Sequence, residues 1–254
     1  MNYEKLEVLN IEDKALFIAD SHVNKNRDEL YAFLDLIEKD RVKVNQIFFM
    51  GDIFDLLVGG IKFTINYNKK YIDLINKISL KKKIFYFEGN HDFNLTYIFP
   101  NIKVFSFEQQ PAVFKFQGKK VLLSHGDVLT SLSYKIYTKI IRSNTALFLL
   151  NLTDSLINNY ISKKIINTQK EKIICAEIKN FSNLIYKRIN KLNIKNIDYI
   201  VEGHFHQNKK IKYLDIIYIN LPSFACDKSF FTVQSQNGFK EAEVQDIKTV
   251  HKVS

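Results

Sequence analysis

Five of the six histidines in this 254-residue chain fall inside four short motifs, each following an apolar run that reads as a strand. The motifs are Asp20-Ser21-His22, Gly89-Asn90-His91-Asp92, Ser124-His125-Gly126-Asp127 and Gly203-His204-Phe205-His206. A fifth, Gly51-Asp52-Ile53-Phe54-Asp55, contributes carboxylates in the same setting. Residues so distant in sequence share a site only if their strands lie side by side and end at one edge. In open α/β sheets ligands gather beyond the carboxyl ends of the strands, which is where all five motifs fall. The motifs therefore constrain the fold before any other property is considered.

The first half alternates strand and helix signals. Strands are expected at Ala15 to Ala19, Gln46 to Met50 and Ile84 to Phe87. Between them, Asn26 to Lys39 and Tyr67 to Leu80 carry apolar residues at helical spacing. Such βαβ units imply a sheet covered on both sides. After Pro100 the pattern predicts strands at Lys103 to Phe107, Ala112 to Phe116, Lys120 to Leu123, Ile197 to Val201, Ile216 to Leu221, Phe230 to Val233 and Gly238 to Val244. Gln117-Gly118 serves as a hairpin turn, and this second set is expected to be antiparallel. The expected fold class is α/β, a four-layer αββα sandwich of two mixed sheets with a helical cap insertion.

The cap is expected at residues 128–197, dividing the core into 1–127 and 198–254. Across Val128 to Ile197 there is no glycine or proline, so the usual punctuation of strands and turns is missing. Apolar residues are densest from Ala146 to Ile157, and two to four helices are expected. The same segment holds twelve basic residues, among them Lys135, Lys139, Arg142, Lys163 and Lys164, against three acidic ones. It thus carries nearly all of the chain's net charge of +10. A field of that sign favours anionic partners, although a solvated helical face would give the same count.

Cys175 and Cys226 match no zinc or redox spacing and are expected to be free thiols in a reducing compartment. Met1 to Lys5 lacks the layout of a secretory leader, and no apolar stretch is long enough to span a bilayer. The expected location is cytoplasmic.

The motifs offer two or three carboxylates, one asparagine and four or five imidazoles. Nitrogen and oxygen donors together suit Mn, Fe, Zn or Co better than Ca, which takes oxygen. These are too many ligands for one ion. Two divalent ions about 3.5–4 Å apart, sharing a carboxylate, would use them.

Taken in order, Asp-x-His, Gly-Asp-x-x-Asp, Gly-Asn-His-Asp, a strand-end His and Gly-His-x-His resemble the calcineurin-like metallophosphoesterases, over roughly Leu16 to Phe224. The resemblance implies that Asp20, His22 and His206 hold one metal, that Asn90, His125 and His204 hold the other, and that Asp52 bridges them. It further implies a metal-held hydroxide as nucleophile, His91 as a proton or hydrogen-bond donor to the phosphate, and Asp55 orienting His91. Asp92 is read as the cap of a helix starting near Phe93 at least as readily as a catalytic residue. Asp127 is left open between tightening its turn and touching substrate, and His251 is expected to be inert.

Fold and metals do not name the substrate of such an enzyme. The Gly-Asp-x-Phe-Asp form at Gly51 to Asp55, the His-Gly-Asp at His125 and the cap size are similar to the UDP-2,3-diacylglucosamine diphosphatases of lipid A synthesis. That resemblance implies cleavage of the diphosphate to UMP and a diacylglucosamine 1-phosphate, with Mn²⁺ as the first metal to test. The best-known branch has arginine where this chain has His91. The partners expected are an acylated sugar nucleotide and, through the basic cap, the anionic surface of the inner membrane. A metal-dependent nuclease or nucleotide phosphodiesterase, and a non-catalytic scaffold, are the competing readings.

Overall fold

The structure, a computed structural model, describes residues 9–128, 132–192, 194, 196–234 and 238–243. Its centre is a pair of six-stranded sheets. In the first half the chain runs through β1 (Leu9–Asn10), β2 (Leu16–Ile18), α1 (Glu29–Glu38), β3 (Gln46–Phe49), β4 (Leu57–Val58), α2 (Lys62–Tyr67), α3 (Lys69–Ser79), β5 (Lys83–Phe87), β6 (Asp92–Phe93) and β7 (Lys103–Phe105). It continues through the hairpin β8 (Ala112–Phe116) and β9 (Lys119–Ser124). Four helices follow: α4 (Leu132–Ile141), α5 (Asn144–Leu156), α6 (Tyr160–Lys170) and α7 (Phe181–Leu192). The second half closes with β10 (Tyr199–Glu202), β11 (Lys209–Tyr213), β12 (Ile216–Asn220), α8 (Phe224–Asp227), β13 (Ser229–Gln234) and β14 (Gly238–Glu243).

One sheet has the order β14-β13-β2-β3-β5-β7, the other β1-β8-β9-β10-β12-β11. In the first, β2, β3, β5 and β7 are parallel, with helices in the crossovers from β2 to β3 and from β3 to β5 and a longer loop from β5 to β7. The second differs from the antiparallel expectation. Its hairpin β8-β9 is antiparallel, but β10 pairs in parallel with both β9 and β12. The reason is the helical segment between β9 and β10, which supplies the long crossover that a parallel pair needs.

Each layer is fixed by which faces are apolar. On the outer face of the first sheet, Leu30, Phe33, Leu34 and Ile37 of α1 and Tyr71, Ile75 and Ile78 of α3 pack against Leu16, Ile47 and Ile84. Alternate residues of the same strands (Phe17, Phe48 and Phe85) face the second sheet and meet Phe114, Val121, Leu123 and Val201. Phe17 stacks on Phe48 with centroids 4.3 Å apart, and Phe48 stacks on Phe85 at 5.0 Å. On the far side, Phe181, Ile185 and Ile189 of α7 cover Leu122, Ile200 and Tyr218. The result is the expected α-β-β-α sandwich. Of the four helices in the segment expected to form a cap, α7 is therefore the outermost layer of the sandwich, whereas α4, α5 and α6 lie by the strand ends.

Two expectations fail for physical reasons that spacing does not reveal. No helix starts at Phe93; Asp92 and Phe93 form the short strand β6 paired with β4. Cys175 and Cys226 are not free thiols but a disulfide, with Cα atoms 5.8 Å apart across 51 residues. The loop after α6 is drawn to the second sheet by hydrogen bonds from Gln207 Nε2 to the Ala176 carbonyl and from the Ile178 N–H to Gln207, so a tertiary approach decides the pairing. Finally, α2, β1, β11 and α8 are elements that periodicity does not signal. His251 lies outside the described residues. Among those residues no helix is long and apolar enough to cross a membrane.

The inter-sheet stack gives a direct test. Phe48→Ala removes a fully buried ring between Phe17, Phe85 and Phe114, and should lower unfolding free energy by about 3–5 kcal/mol. Urea denaturation measures this; a loss below about 1 kcal/mol would mean that the sheets do not meet at this ring.

Candidate metal centre

The parallel registers bring the motifs to one edge. Ile18 pairs with Phe49 and Phe49 with Tyr86, while Ser124 pairs with Glu202. The chain therefore leaves β2, β3 and β5 on one sheet, and β9 and β10 on the other, at the same end of the sandwich. Asp20, Asp52, Asn90, His125 and His204 follow within a few residues of those strand ends.

The turns that carry them are contorted. Asp20, His22, Asp52, His204 and His206 all adopt left-handed backbone, with φ between 42° and 65°. Such conformations cost of order 1–3 kcal/mol each and persist where surrounding structure over-determines them. Two glycines are required by close approach: a Cβ at Gly51, where φ is 85°, would collide with the His125 ring, and one at Gly89 with the Asp52 carboxylate.

Three overlapping sets of donors result. Asp20, His22 and His206 form one, His22, Asp52 and His91 a second, and Asp52, His125 and His204 a third, each with ligand atoms within 4.8 Å of one another. His206 Nε2 lies 3.2 Å from Asp20 Oδ1 and 3.4 Å from His22 Nε2. His125 Nε2 lies 3.4 Å from both Asn90 Oδ1 and Asp52 Oδ2. All seven residues expected as ligands thus converge, with Asp52 central. His91, expected beyond the metals, sits close enough to Asp52 and His22 to belong to the second set.

This arrangement fits divalent ions. Metal–nitrogen and metal–oxygen bonds of about 2.0–2.2 Å put neighbouring ligands roughly 3.0–3.5 Å apart, which matches the gaps here. The far nitrogens of the rings are engaged: His125 Nδ1 donates to the Met50 carbonyl at 2.9 Å and His206 Nδ1 to the Ile174 carbonyl at 2.7 Å. That fixes the tautomer and leaves each Nε2 lone pair aimed inward. The field agrees. Burial would discharge His125, yet Asp52, Asp127 and Asp20 hold its pKa well above the ordinary value. Burial likewise opposes ionised Asp52, but His125, His91 and His22 hold it well below the carboxylate range. Burial, and then the charge on His125, push His204 down to about 3, so it presents a neutral imidazole. The carboxylates that favour a protonated His125 are the groups that would favour a divalent ion in place of that proton.

Asp55 does not orient His91 with its carboxylate. That carboxylate accepts from Arg27 Nη2 at 2.8 and 2.9 Å, hydrogen-bonds Asn24, and lies 3.4 Å from His22 Nδ1. His91 Nδ1 instead lies 3.0 Å from the Asp55 backbone carbonyl. The turn after β3 puts the peptide, not the side chain, toward His91. Asp92 has a role that its capping propensity conceals: buried, it accepts from the N–H groups of Asp52, Ile53, Phe54 and Gly89 and from the Tyr86 hydroxyl. Burial and the Asp52 charge raise its pKa to about 6. Asp127 is buried, with neither carboxylate oxygen hydrogen-bonded among the described residues, and burial raises its pKa.

Sequence reading missed the arginines. Arg27, Arg142 and Arg188 pair with Asp55, Glu88 and Glu202 respectively, all close beneath the site. Only four of the 37 basic residues are arginines. That scarcity was the available signal, because the planar guanidinium is the group suited to buried carboxylates.

The calcineurin-like phosphoesterase family profile matches residues 14–208. Among curated proteins, the UDP-2,3-diacylglucosamine hydrolase of Coxiella burnetii strain RSA 331 is 27% identical over 198 residues, covering 76% of this chain and 80% of its own. The protein of the same name from Psychromonas ingrahamii is 28% identical over 155 residues, covering 60% and 62%. Among solved structures, an archaeal phosphodiesterase is 14% identical with a TM-score of 0.43, covering 90% of this chain and 98% of that one. The chain belongs to the calcineurin-like phosphoesterase family and is a metal-dependent phosphoester hydrolase.

Proposed function

We propose that this protein hydrolyses the diphosphate of an acylated sugar nucleotide, UDP-2,3-diacylglucosamine, to UMP and 2,3-diacylglucosamine 1-phosphate, with two divalent ions as cofactor. The observation that carries the reading is a cavity of about 460 Å³ that joins the metal centre to the helices above it. Asn90 and His91 stand at one end, and its walls include Val58, Ile61, Phe93, Leu147, Leu150 and Ile165. Apolar walls with reactive groups at one end suit a ligand with hydrocarbon chains attached near a phosphate. Each buried CH₂ contributes about 0.8 kcal/mol. Nucleic acid is disfavoured because Arg142 and Arg188, the arginines of the basic segment, are directed at buried carboxylates rather than outward.

Asp20, His22 and His206 would hold one ion and Asn90, His125 and His204 the other, with Asp52 between them. Bound there, the ions would supply a hydroxide at neutral pH and neutralise charge on the phosphate. The protein's own part is orientation. The Met50 and Ile174 carbonyls fix His125 and His206, and the Asp20 carboxylate accepts the His204 N–H at 2.9 Å. His91 donates its Nδ1–H to the Asp55 carbonyl, which leaves Nε2 facing the site, where it donates to a phosphate or leaving oxygen when the ring carries both protons.

The helices over the cavity also present an apolar outer surface. Phe148, Leu149, Leu152 and Leu156 of α5 are exposed, Leu156 by 77%, as are Ile136, Tyr137 and Ile140 of α4. Lys135, Lys139, Lys163 and Lys164 flank them and are exposed. An apolar patch bordered by lysines suits the headgroup region of an anionic bilayer, from which a diacylated substrate would be drawn. This would place the protein at a membrane surface.

With Mn²⁺, Asp52→Ala and His125→Ala should abolish turnover, and His91→Ala should lower kcat about 10²–10⁴-fold while retaining both metals. Loss of bound metal in the His91 variant, read by elemental analysis, would make His91 a ligand instead. In a side-by-side assay, the diacylated nucleotide should be cleaved far faster than its deacylated analogue or single-stranded DNA; equal rates on all three would overturn the acyl reading. The double variant Phe148→Glu/Leu156→Glu should lose sedimentation with phosphatidylglycerol vesicles, and unchanged sedimentation would remove the membrane surface from the proposal.

A further inference from the structure

Helix α4 does two things within nine residues. Tyr134, Tyr137 and Ile141 line the cavity, and the next residue, Arg142, is buried against the loop that carries Asn90 and His91. Its Nη1 donates to Glu88 Oε2 at 3.1 Å and its Nη2 to the Gly89 carbonyl at 2.8 Å. The guanidinium carbon lies 4.7 Å from the Phe93 ring centroid and 5.3 Å from that of Phe107. The Arg142 carbonyl accepts from Asn94 Nδ2 at 2.9 Å, so the loop is gripped on both sides of the Asn90-His91 pair.

The contacts run on from Glu88. Its Oε1 accepts the Leu95 N–H at 2.8 Å. Its backbone carbonyl accepts from Gln110 Nε2 at 2.8 Å, and Gln110 Oε1 accepts the His125 N–H at 2.7 Å. One buried network therefore joins a cavity-lining helix to Asn90, His91 and His125.

We propose that Arg142 is a positioning residue: it sets Asn90 and His91 at the metal centre and links their placement to the helix that lines the substrate cavity. The inference rests on Asn90 and His125 being ligands of one ion, but not on the identity of the substrate. A guanidinium that donates from two nitrogens to two separate acceptors, with two rings beside it, defines position in a way that lysine, a flexible point charge, cannot reproduce. A substrate pressing on Tyr134, Tyr137 and Ile141 bears on the same helix end that holds the Gly89 carbonyl. Seating in the cavity and ordering of the reactive groups are then one event.

Two variants separate positioning from bulk stability. Arg142→Lys keeps a charge for Glu88 but loses the fork. Glu88→Gln/Arg142→Met removes both buried charges together, a change that is often neutral for stability. Each is loaded with Mn²⁺ and examined by electron paramagnetic resonance for the spin-coupled signal of a manganese pair. Each is also assayed on bis(p-nitrophenyl) phosphate, a diester with no acyl chain. Both variants should keep a cooperative thermal transition, bind the second Mn²⁺ about 10–100-fold more weakly, and lose kcat on the small diester with KM nearly unchanged. A wild-type coupled signal and kcat in the double variant would overturn the proposal. So would a defect confined to KM for the acylated nucleotide, or failure of both variants to fold, which would assign the pair to stability alone. Should the wild type prove inactive on the acylated nucleotide, the function proposed above fails while the manganese signal still decides the role of Arg142.

Discussion

A single buried carboxylate shapes the turn on which the metal centre is built. Asp92 takes the N–H groups of three successive residues, Asp52, Ile53 and Phe54, from a turn that has left its strand and has no ladder partner for them. It takes the Gly89 N–H and the Tyr86 hydroxyl as well. Unpaired, each buried donor would cost about 1–3 kcal/mol, so the turn after β3 could not hold its shape without this acceptor. The geometry propagates from there. Asp52 is fixed with one oxygen on the His91 N–H and the other toward His125, and Gly51 and Gly89 provide the clearance that this close approach needs.

The same logic explains why charge in this protein divides by residue type. Among the described residues most lysines are exposed, whereas three of the four arginines point inward at Asp55, Glu88 and Glu202. Each inward arginine also holds a backbone carbonyl of a motif loop: that of His22 for Arg27, Gly89 for Arg142 and Gly126 for Arg188. Arg27 additionally reaches the Gln169 carbonyl at the end of α6, where the helix dipole favours a cation. The strained loops are thus clamped by planar donors, which supply part of the over-determination that five left-handed residues demand. The disulfide works on the same surroundings, because Cys175 follows Ile174, the acceptor for His206, and Cys226 lies in α8, where the Ala225 N–H meets the Asp20 carbonyl.

What could be read from sequence was what depends on local pattern. Continuous apolar runs in β2, β3 and β5 and the i, i+3, i+4 faces of α1 and α3 announced the sandwich, because burial on both faces of a sheet leaves a direct mark on composition. Seven converging donors were legible because each follows a strand, and strands sharing a sheet must end together. Side-chain direction was not legible. Asp55 lies three residues beyond Asp52, and nothing in that spacing shows that its peptide meets His91 while its carboxylate meets His22 and Arg27. Nor does spacing reveal that Asp92 gathers amides instead of starting a helix, or that residues 175 and 226 approach. Those outcomes depend on tertiary contacts between segments tens of residues apart.

The helices over the cavity make sense only with that distinction in mind. An amphipathic helix in a globular protein buries its apolar face, and Leu147 of α5 does so against Val58, Ile61 and Phe93. Yet Phe148, Leu149, Leu152 and Leu156 remain in solvent, an arrangement that hydrophobic burial alone disfavours. The sequence does not use the obvious remedy of polar residues at those positions. Asp154 meanwhile stabilises the following helix, accepting the N–H groups of Ile161 and Ser162 at the start of α6, so the segment is well formed despite its exposed side chains. The exposed apolar face of α5 and the cavity lining thus belong to one helical segment, and at the end of α4 the same segment supplies the arginine that holds the Gly89 carbonyl.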